Sequence, residues 1–196
     1  SSIRFDSNTS KLENKDNSNC YNIALLSNIT VHQSKEIIEY SLRKEGINAN
    51  IILGSYDNII QDSTKQTNNN AVIIFWELAN LFDGFQFKIE LLNDNEVDEI
   101  ENKLKAEIKL VLQNLKDCPL IIINKFSSLI FSSLNLNSSR LSDLSIRLNE
   151  YLESLTFINL MLINIDDVVR YEGVEKSYDL RYFYSSKAPY SIDFFK

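Results

Sequence analysis

Five short apolar runs, separated by segments with helical periodicity, constrain the fold of this chain more than any other feature. They lie at about 22–26, 47–53, 71–76, 119–123 and 157–165. Runs of this length that alternate with helical segments predict strands of a parallel sheet, joined by right-handed crossovers and covered on both faces. We therefore predict an α/β, three-layer fold with a five-stranded, mostly parallel sheet in the flavodoxin-like order 2-1-3-4-5.

Helices are predicted where apolar residues recur at spacings of three and four. The clearest pattern covers 95–116, and others cover about 31–45 and a segment that starts near Ser138 or Ser139. Residues 166–172 read as one or two further turns, stopped by Gly173.

The first helix carries signals at both ends. Thr30 and Gln33 have the spacing of a capping box, and Gly46 is placed to end the helix in the left-handed conformation. Two other segments lack a regular pattern: 77–93 fits a structured loop or a short hairpin, and 127–137 fits a Ser/Asn/Leu loop.

Length and charge limit the classes of function. The chain has 196 residues, about one domain, with 20 basic against 27 acidic residues. We predict a polar arm or linker at 1–19 and a single domain at 20–196. The net charge of −7 argues against a nucleic-acid footprint and against attraction to anionic lipid. No apolar run approaches the ~20 residues of a membrane span, so a soluble, cytoplasmic protein is expected.

The two cysteines, Cys20 and Cys118, predict neither a disulfide scaffold nor a zinc site. Each precedes a predicted strand and so belongs at the amino edge of the sheet. No metal and no cofactor are expected. The doublet Asp166-Asp167 favours a helix cap over a metal site, because acidic groups suit a helix start.

Polar residues follow the predicted strands at the carboxyl edge, where ligands of such sheets bind. Ser27 and Asn28 follow the first strand, and Glu77 follows the third. The single histidine, His32, falls on the first helical turn and is interpreted as an exposed helix residue.

The run from Ile23 to Val31 resembles the first block of the N-terminal domain of FkbH-like proteins. The resemblance is supported by Asp166-Asp-Val-Val-Arg-Tyr-Glu-Gly173, by Tyr178-Asp-Leu-Arg-Tyr-Phe-Tyr184 and by Ala188-Pro-Tyr-Ser191. Proteins of that family join an SGNH-hydrolase-like domain to a phosphatase-like domain of the haloacid dehalogenase superfamily, subfamily IIIC. The resemblance implies an SGNH-like domain excised from a longer protein whose phosphatase-like domain follows.

An SGNH hydrolase needs a serine at the end of the first strand, donors for the oxyanion and an Asp-x-x-His pair. By the resemblance, Ser27 or Thr30 is the candidate nucleophile, Asn80 the oxyanion donor and Asp179 the orienter. Tyr182 stands where the histidine base belongs, and a phenol with a pKa near ~10 is a poor base at neutral pH. Candidate substrate-binding residues are Asn28, Glu77, Arg181 and Tyr182.

Two hypotheses follow. The first is a non-hydrolytic SGNH-like module that binds an acyl carrier protein, or a phosphopantetheine-linked group, or positions a substrate for glyceryl or acyl transfer. The resemblance implies pathways for polysaccharides or polyketides and a phosphatase-like domain in the same chain as partner. The alternative is an SGNH-type esterase or acyltransferase that uses Ser27 or Thr30. Asp179 with Arg181 is equally consistent with a structural ion pair.

Overall fold

The structure, a computed structural model, describes residues 20–127, 129 and 139–196. Its centre is a sheet of five parallel strands in the order β2-β1-β3-β4-β5, as predicted. The strands are β1 (Tyr21–Ser27), β2 (Ala49–Leu53), β3 (Ala71–Phe75), β4 (Ile121–Asn124) and β5 (Leu160–Ile163).

The central strands are buried because their sequences are apolar on both faces. Ala24, Leu25 and Leu26 of β1 are all buried, as are Val72 and Ile74 of β3. This is the pattern of a parallel sheet covered by helices on both sides. Strand β5 lies at the edge of the sheet, and its residues are only partly covered.

Helices connect and cover the strands. They are α1 (His32–Lys44), α2 (Ile59–Ser63), α3 (Phe85–Lys88), α4 (Asp94–Asn114), α5 (Arg140–Ser154), α6 (Ile165–Glu172), α7 (Val174–Ser177) and α8 (Leu180–Ser186). Single 3₁₀ turns occur at Leu78–Asn80, Ile89–Leu91 and Asp193–Phe195.

The long helices begin at side-chain caps and bury the predicted apolar stripes. Asn93 and Glu96 form a capping box at the start of α4, and Ser139 caps α5 through the backbone N–H of Ser142. Leu104, Ile108 and Leu112 of α4 and Leu144 and Leu148 of α5 are buried, so each stripe faces the core.

The capping box predicted for the first helix is wrong. Val31 is the N-cap residue of α1, and no side chain caps that end. The hydroxyl of Thr30 donates instead to the carbonyl of Ser186, which draws it towards a distant segment. At the other end the prediction is confirmed, since Gly46 has a φ of 81° just beyond the helix.

Two further expectations need correction. Segment 77–93 is a succession of helical turns rather than a hairpin, with Gly84 in the left-handed conformation before α3. The cap of α6 is Asn164, which accepts from the N–H of Asp166, while Asp166 and Asp167 occupy the first turn. The predicted arm at 1–19 and most of the predicted 127–137 loop lie outside the described residues.

Candidate functional site at the carboxyl edge of the sheet

The candidate nucleophile Ser27 is the last residue of β1 and is buried, with 3% of its surface exposed. Its hydroxyl oxygen accepts a hydrogen bond from the backbone N–H of Ile29 at 3.0 Å. Ile29 itself is only 2% exposed. The strand end therefore turns Ser27 into the interior, where its hydroxyl is engaged by the backbone of the following turn.

The second candidate nucleophile, Thr30, is partly exposed, and both its polar groups contact the C-terminal segment. Its hydroxyl donates to the carbonyl of Ser186 at 2.8 Å, and its backbone N–H donates to the carbonyl of Lys187 at 2.9 Å. The side chain thus fastens the segment that follows α8 to the end of β1.

Side-chain amides join the ends of neighbouring strands. Asn28 accepts from the N–H of Glu77 at 2.7 Å and donates to the carbonyl of Glu77 at 2.8 Å. Asn124, at the end of β4, makes the same paired contacts with Trp76, at 2.6 and 3.0 Å. These amides continue the hydrogen-bonded ladder beyond the strands, because each satisfies a backbone donor and a backbone acceptor.

Asn80, the candidate oxyanion donor, is buried in the same network. Its side-chain amide donates to the carbonyl of Asn28 and, at 3.0 Å, to the hydroxyl of Tyr56. Both of its N–H groups are thereby directed at protein acceptors. The structure brings Asn28, Glu77 and Asn80 together, as their positions after β1 and β3 predict.

Glu77 is a buried carboxylate whose two oxygens are both hydrogen-bonded. One accepts from the hydroxyl of Tyr190 at 2.6 Å, and the other accepts from the N–H of Ala79 at 3.1 Å. Burial raises the pKa of Glu77, and the charge of nearby Asp166 adds to the rise, while the bonds from Tyr190 and Ala79 oppose it.

The last residues of the chain fill the space above Glu77 with aromatic rings. Tyr190 packs on Phe75, Tyr178 and Phe194, with ring centroids 5.1, 5.1 and 4.3 Å apart. Burial raises the pKa of both tyrosines. The Tyr178 hydroxyl is buried beside the hydroxyls of Ser127 and Tyr190. These rings occupy the centre of the edge, which is closed by protein.

The start of α6 joins this closed region. The hydroxyl of Ser127 donates to the carboxylate of Asp166 at 2.5 Å and accepts from the N–H of Leu129 at 3.1 Å. Asp166 is buried, whereas Asp167 is exposed and pairs with Arg170. Over residues 20–127, 129 and 139–196, no group of three or more His, Cys, Asp or Glu side chains is arranged to hold a metal ion.

Asp179, Arg181 and Tyr182 lie at the start of α8. Asp179 caps α8 through the N–H of Arg181 and binds the Arg181 guanidinium at 2.9 and 3.1 Å. The hydrogen bond from Arg181 lowers the pKa of Asp179. Tyr182 is 59% exposed and His32 is exposed as well. Within the described residues, no hydrogen bond links any of these side chains to Ser27 or Thr30.

Sequence reasoning missed two parts of this edge. Tyr190 was noted only within the run Ala188 to Ser191, although a tyrosine beside a proline in an otherwise polar stretch was a signal for a packed ring. From the sequence, Asp57 to Gln61 fits a helical turn. In the structure α2 begins at Ile59, and Asp57 has a φ of 54° beside a cavity of about 250 Å³.

None of the described helices combines the length and apolar character needed to span a bilayer. Comparison with protein-family models gives no match, and comparison with curated proteins gives none either. Among solved structures, the chain is similar to the N-terminal part of the protein BF1531 from Bacteroides fragilis, which contains a phosphatase domain and was crystallised with Mg. The TM-score is 0.69 at 15% identity. The match covers 90% of this chain and 48% of the other, so this chain has the fold of about half of that neighbour.

Proposed function

We propose that this chain is a non-hydrolytic, SGNH-like module of an FkbH-like protein that binds a partner or positions a substrate for a phosphatase-like domain. The observation that carries the proposal is the closed end of β1, where Ser27 is buried and its hydroxyl accepts from the N–H of Ile29. The fold likeness to a protein part that contains a phosphatase domain supports the architecture.

Among the described residues, this edge lacks the accessible nucleophile and the neighbouring base that hydrolysis requires. A serine nucleophile must reach the substrate, and its base must lie within about 3.2 Å of the hydroxyl. Ser27 is buried. Among the described residues, the polar groups near the end of β1 are the amides of Asn28 and Asn80, the carboxylate of Glu77, and Asp57, whose backbone N–H donates to the Ser27 carbonyl and which has no hydrogen bond to the Ser27 hydroxyl. Both carboxylate oxygens of Glu77 are already engaged by Tyr190 and Ala79.

The partner that the family resemblance implies is an acyl carrier protein with a phosphopantetheine-linked group. In this proposal the module holds the carrier while the phosphatase-like domain of the same protein performs glyceryl or acyl transfer. We expect binding to depend on the phosphopantetheine arm more than on the carrier surface alone, because the arm is the part of the carrier that can enter a pocket of the module.

A fluorophosphonate probe tests the absence of hydrolase chemistry. We expect no labelling of the wild-type chain. Labelling at Ser27 that disappears in Ser27→Ala, with Thr30→Ala as the companion variant, would overturn the proposal and establish an esterase or acyltransferase.

Carrier binding is tested separately by calorimetry with a carrier protein that bears or lacks phosphopantetheine. We expect heat of binding only with the arm present. Equal binding of both forms would remove the phosphopantetheine arm from the proposal, and no binding of either form would remove the carrier and leave the module a different partner.

A further inference from the structure

A cavity of about 250 Å³ opens beside the closed part of the edge. Its lining comes from the ends of β1 and β3, from the loop before α2, and from α2 and α4. Small-molecule pockets are usually about 300–1,000 Å³, so this volume suits a small ligand.

One wall of the cavity is apolar. Trp76 is buried at its base, the aliphatic side chains of Ile59, Ile100 and Leu104 line it, and Phe82 is half-exposed. Such a wall favours a hydrocarbon or ring over a fully hydrated group, because water is displaced from apolar surface.

Asp57 supplies an unpaired charge to this lining. Its backbone N–H donates to the carbonyl of Ser27 at 3.0 Å, which holds the residue in its left-handed conformation. Its carboxylate makes no hydrogen bond or ion pair with any described residue, and partial burial raises its pKa.

The other charges of the lining compensate each other. Lys103 and Glu107 lie one helical turn apart on α4, with nitrogen and oxygen 3.8 Å apart. Asp57 is therefore the uncompensated charge among the described lining residues. A cation that enters the cavity gains a partner, whereas an anion meets a net negative wall.

From this geometry we propose that the cavity binds a small organic cation, an ammonium group attached to an apolar body, with the ammonium on Asp57 and the body on Trp76. The site adjoins the closed end of β1, because Asn28 also lines the cavity, and the proposal holds whether or not the chain binds a carrier protein. An aromatic wall next to a carboxylate is a suitable environment for an ammonium group, since the ring face also attracts cations.

The test uses Trp76, the single tryptophan of the chain, as reporter. Phenethylamine and 3-phenylpropionate serve as probes, because they have similar apolar bodies and opposite charges. We expect saturable quenching or a spectral shift with phenethylamine at neutral pH, and affinity for 3-phenylpropionate at least about tenfold weaker.

Asp57→Asn keeps the size and the tolerance of left-handed backbone, and it should weaken phenethylamine binding about tenfold. Asp117→Asn is the matched control, an exposed carboxylate that does not line the cavity, and should leave the affinity unchanged. No saturable response to phenethylamine, equal affinity for the two probes, or equal effects of the two substitutions would each overturn the proposal.

Discussion

Glu77 and Asp57 are two acidic residues at the same edge of the sheet, in opposite environments. Glu77 is buried and both its oxygens accept hydrogen bonds, whereas Asp57 is exposed and its carboxylate has no partner among the described residues. A buried, fully bonded carboxylate serves the structure, because its partners fix it in place. An unpaired one beside a cavity remains available to a ligand. This difference is why we propose ligand binding on the side of Asp57.

Removal of the ring that covers Glu77 should produce the largest effect. Tyr190→Ala deletes a buried ring and the hydroxyl that donates to Glu77, so we expect a loss of about 3–5 kcal/mol in the free energy of unfolding. Urea denaturation measures it. Tyr184→Ala, at an exposed ring, should change stability by less than about 0.5 kcal/mol. Similar losses for both would show that Tyr190 is no more structural than a surface ring.

Loss of the Asn28 amide, which bridges β1 and β3, should have the second-largest effect on the free energy of unfolding. Asn28→Ala leaves the N–H and the carbonyl of Glu77 without partners in the interior, at a cost of about 2–4 kcal/mol. Asn50→Ala, at an exposed strand position, is the control and should cost less than about 0.5 kcal/mol. A loss below about 1 kcal/mol in Asn28→Ala would mean that water replaces the bridge.

The free energy of unfolding should depend on pH through the titration of Glu77. Its pKa is raised in the folded state, so the folded state holds the proton to higher pH than the unfolded state does. Stability from this group is full below the unfolded pKa and falls as pH rises to the folded pKa, by about 1.4 kcal/mol per unit of rise.

Glu77→Gln removes this titration. The stability of the wild type minus that of Glu77→Gln, from urea denaturation at a series of pH values, should therefore fall as pH rises from about 4.5 and then level off. A difference that rises with pH would reverse the assignment and make Glu77 a carboxylate stabilised as the anion.

The smallest change in the free energy of unfolding is expected at Asp57, beside the cavity. Asp57→Asn removes no contact with a described residue, so thermal or urea unfolding should shift by less than about 0.5 kcal/mol. Ligand binding, measured on the same samples, should change while stability does not. A large loss of stability in Asp57→Asn would show that Asp57, like Glu77, serves the structure.

The fold was predictable because alternation of apolar runs and helical stripes is encoded locally. The crossover rule limits the possible strand orders, and β2-β1-β3-β4-β5 is one of the common doubly wound orders that it allows. Placing Asn28, Glu77 and Asn80 at one edge needed only the rule that parallel strands end on the same side. The roles proposed for Ser27, Thr30 and Asp179 stay predictions. Position in the sequence does not determine which way a side chain points or which groups lie within its reach.

Other features depend on contacts between distant residues. Thr30 was expected to cap its own helix, but it bonds to Ser186, 156 positions away. Tyr190 and Glu77 are 113 positions apart, and no local sequence pattern predicts the hydrogen bond between them. The left-handed conformation of Asp57 is equally hidden, since aspartate adopts several backbone conformations and the bond to Ser27 selects one.

The attachment of the C-terminal segment to β1 sets an order of events during synthesis. Chains are made from the N-terminus and fold as they emerge. The first three strands and Glu77 are complete long before Tyr190 and the residues that bond to Thr30 exist. Until then the Glu77 carboxylate meets water, and the closed edge assembles only when the final segment arrives. During synthesis, completion of this edge is thus a late step, because its contacts span most of the chain.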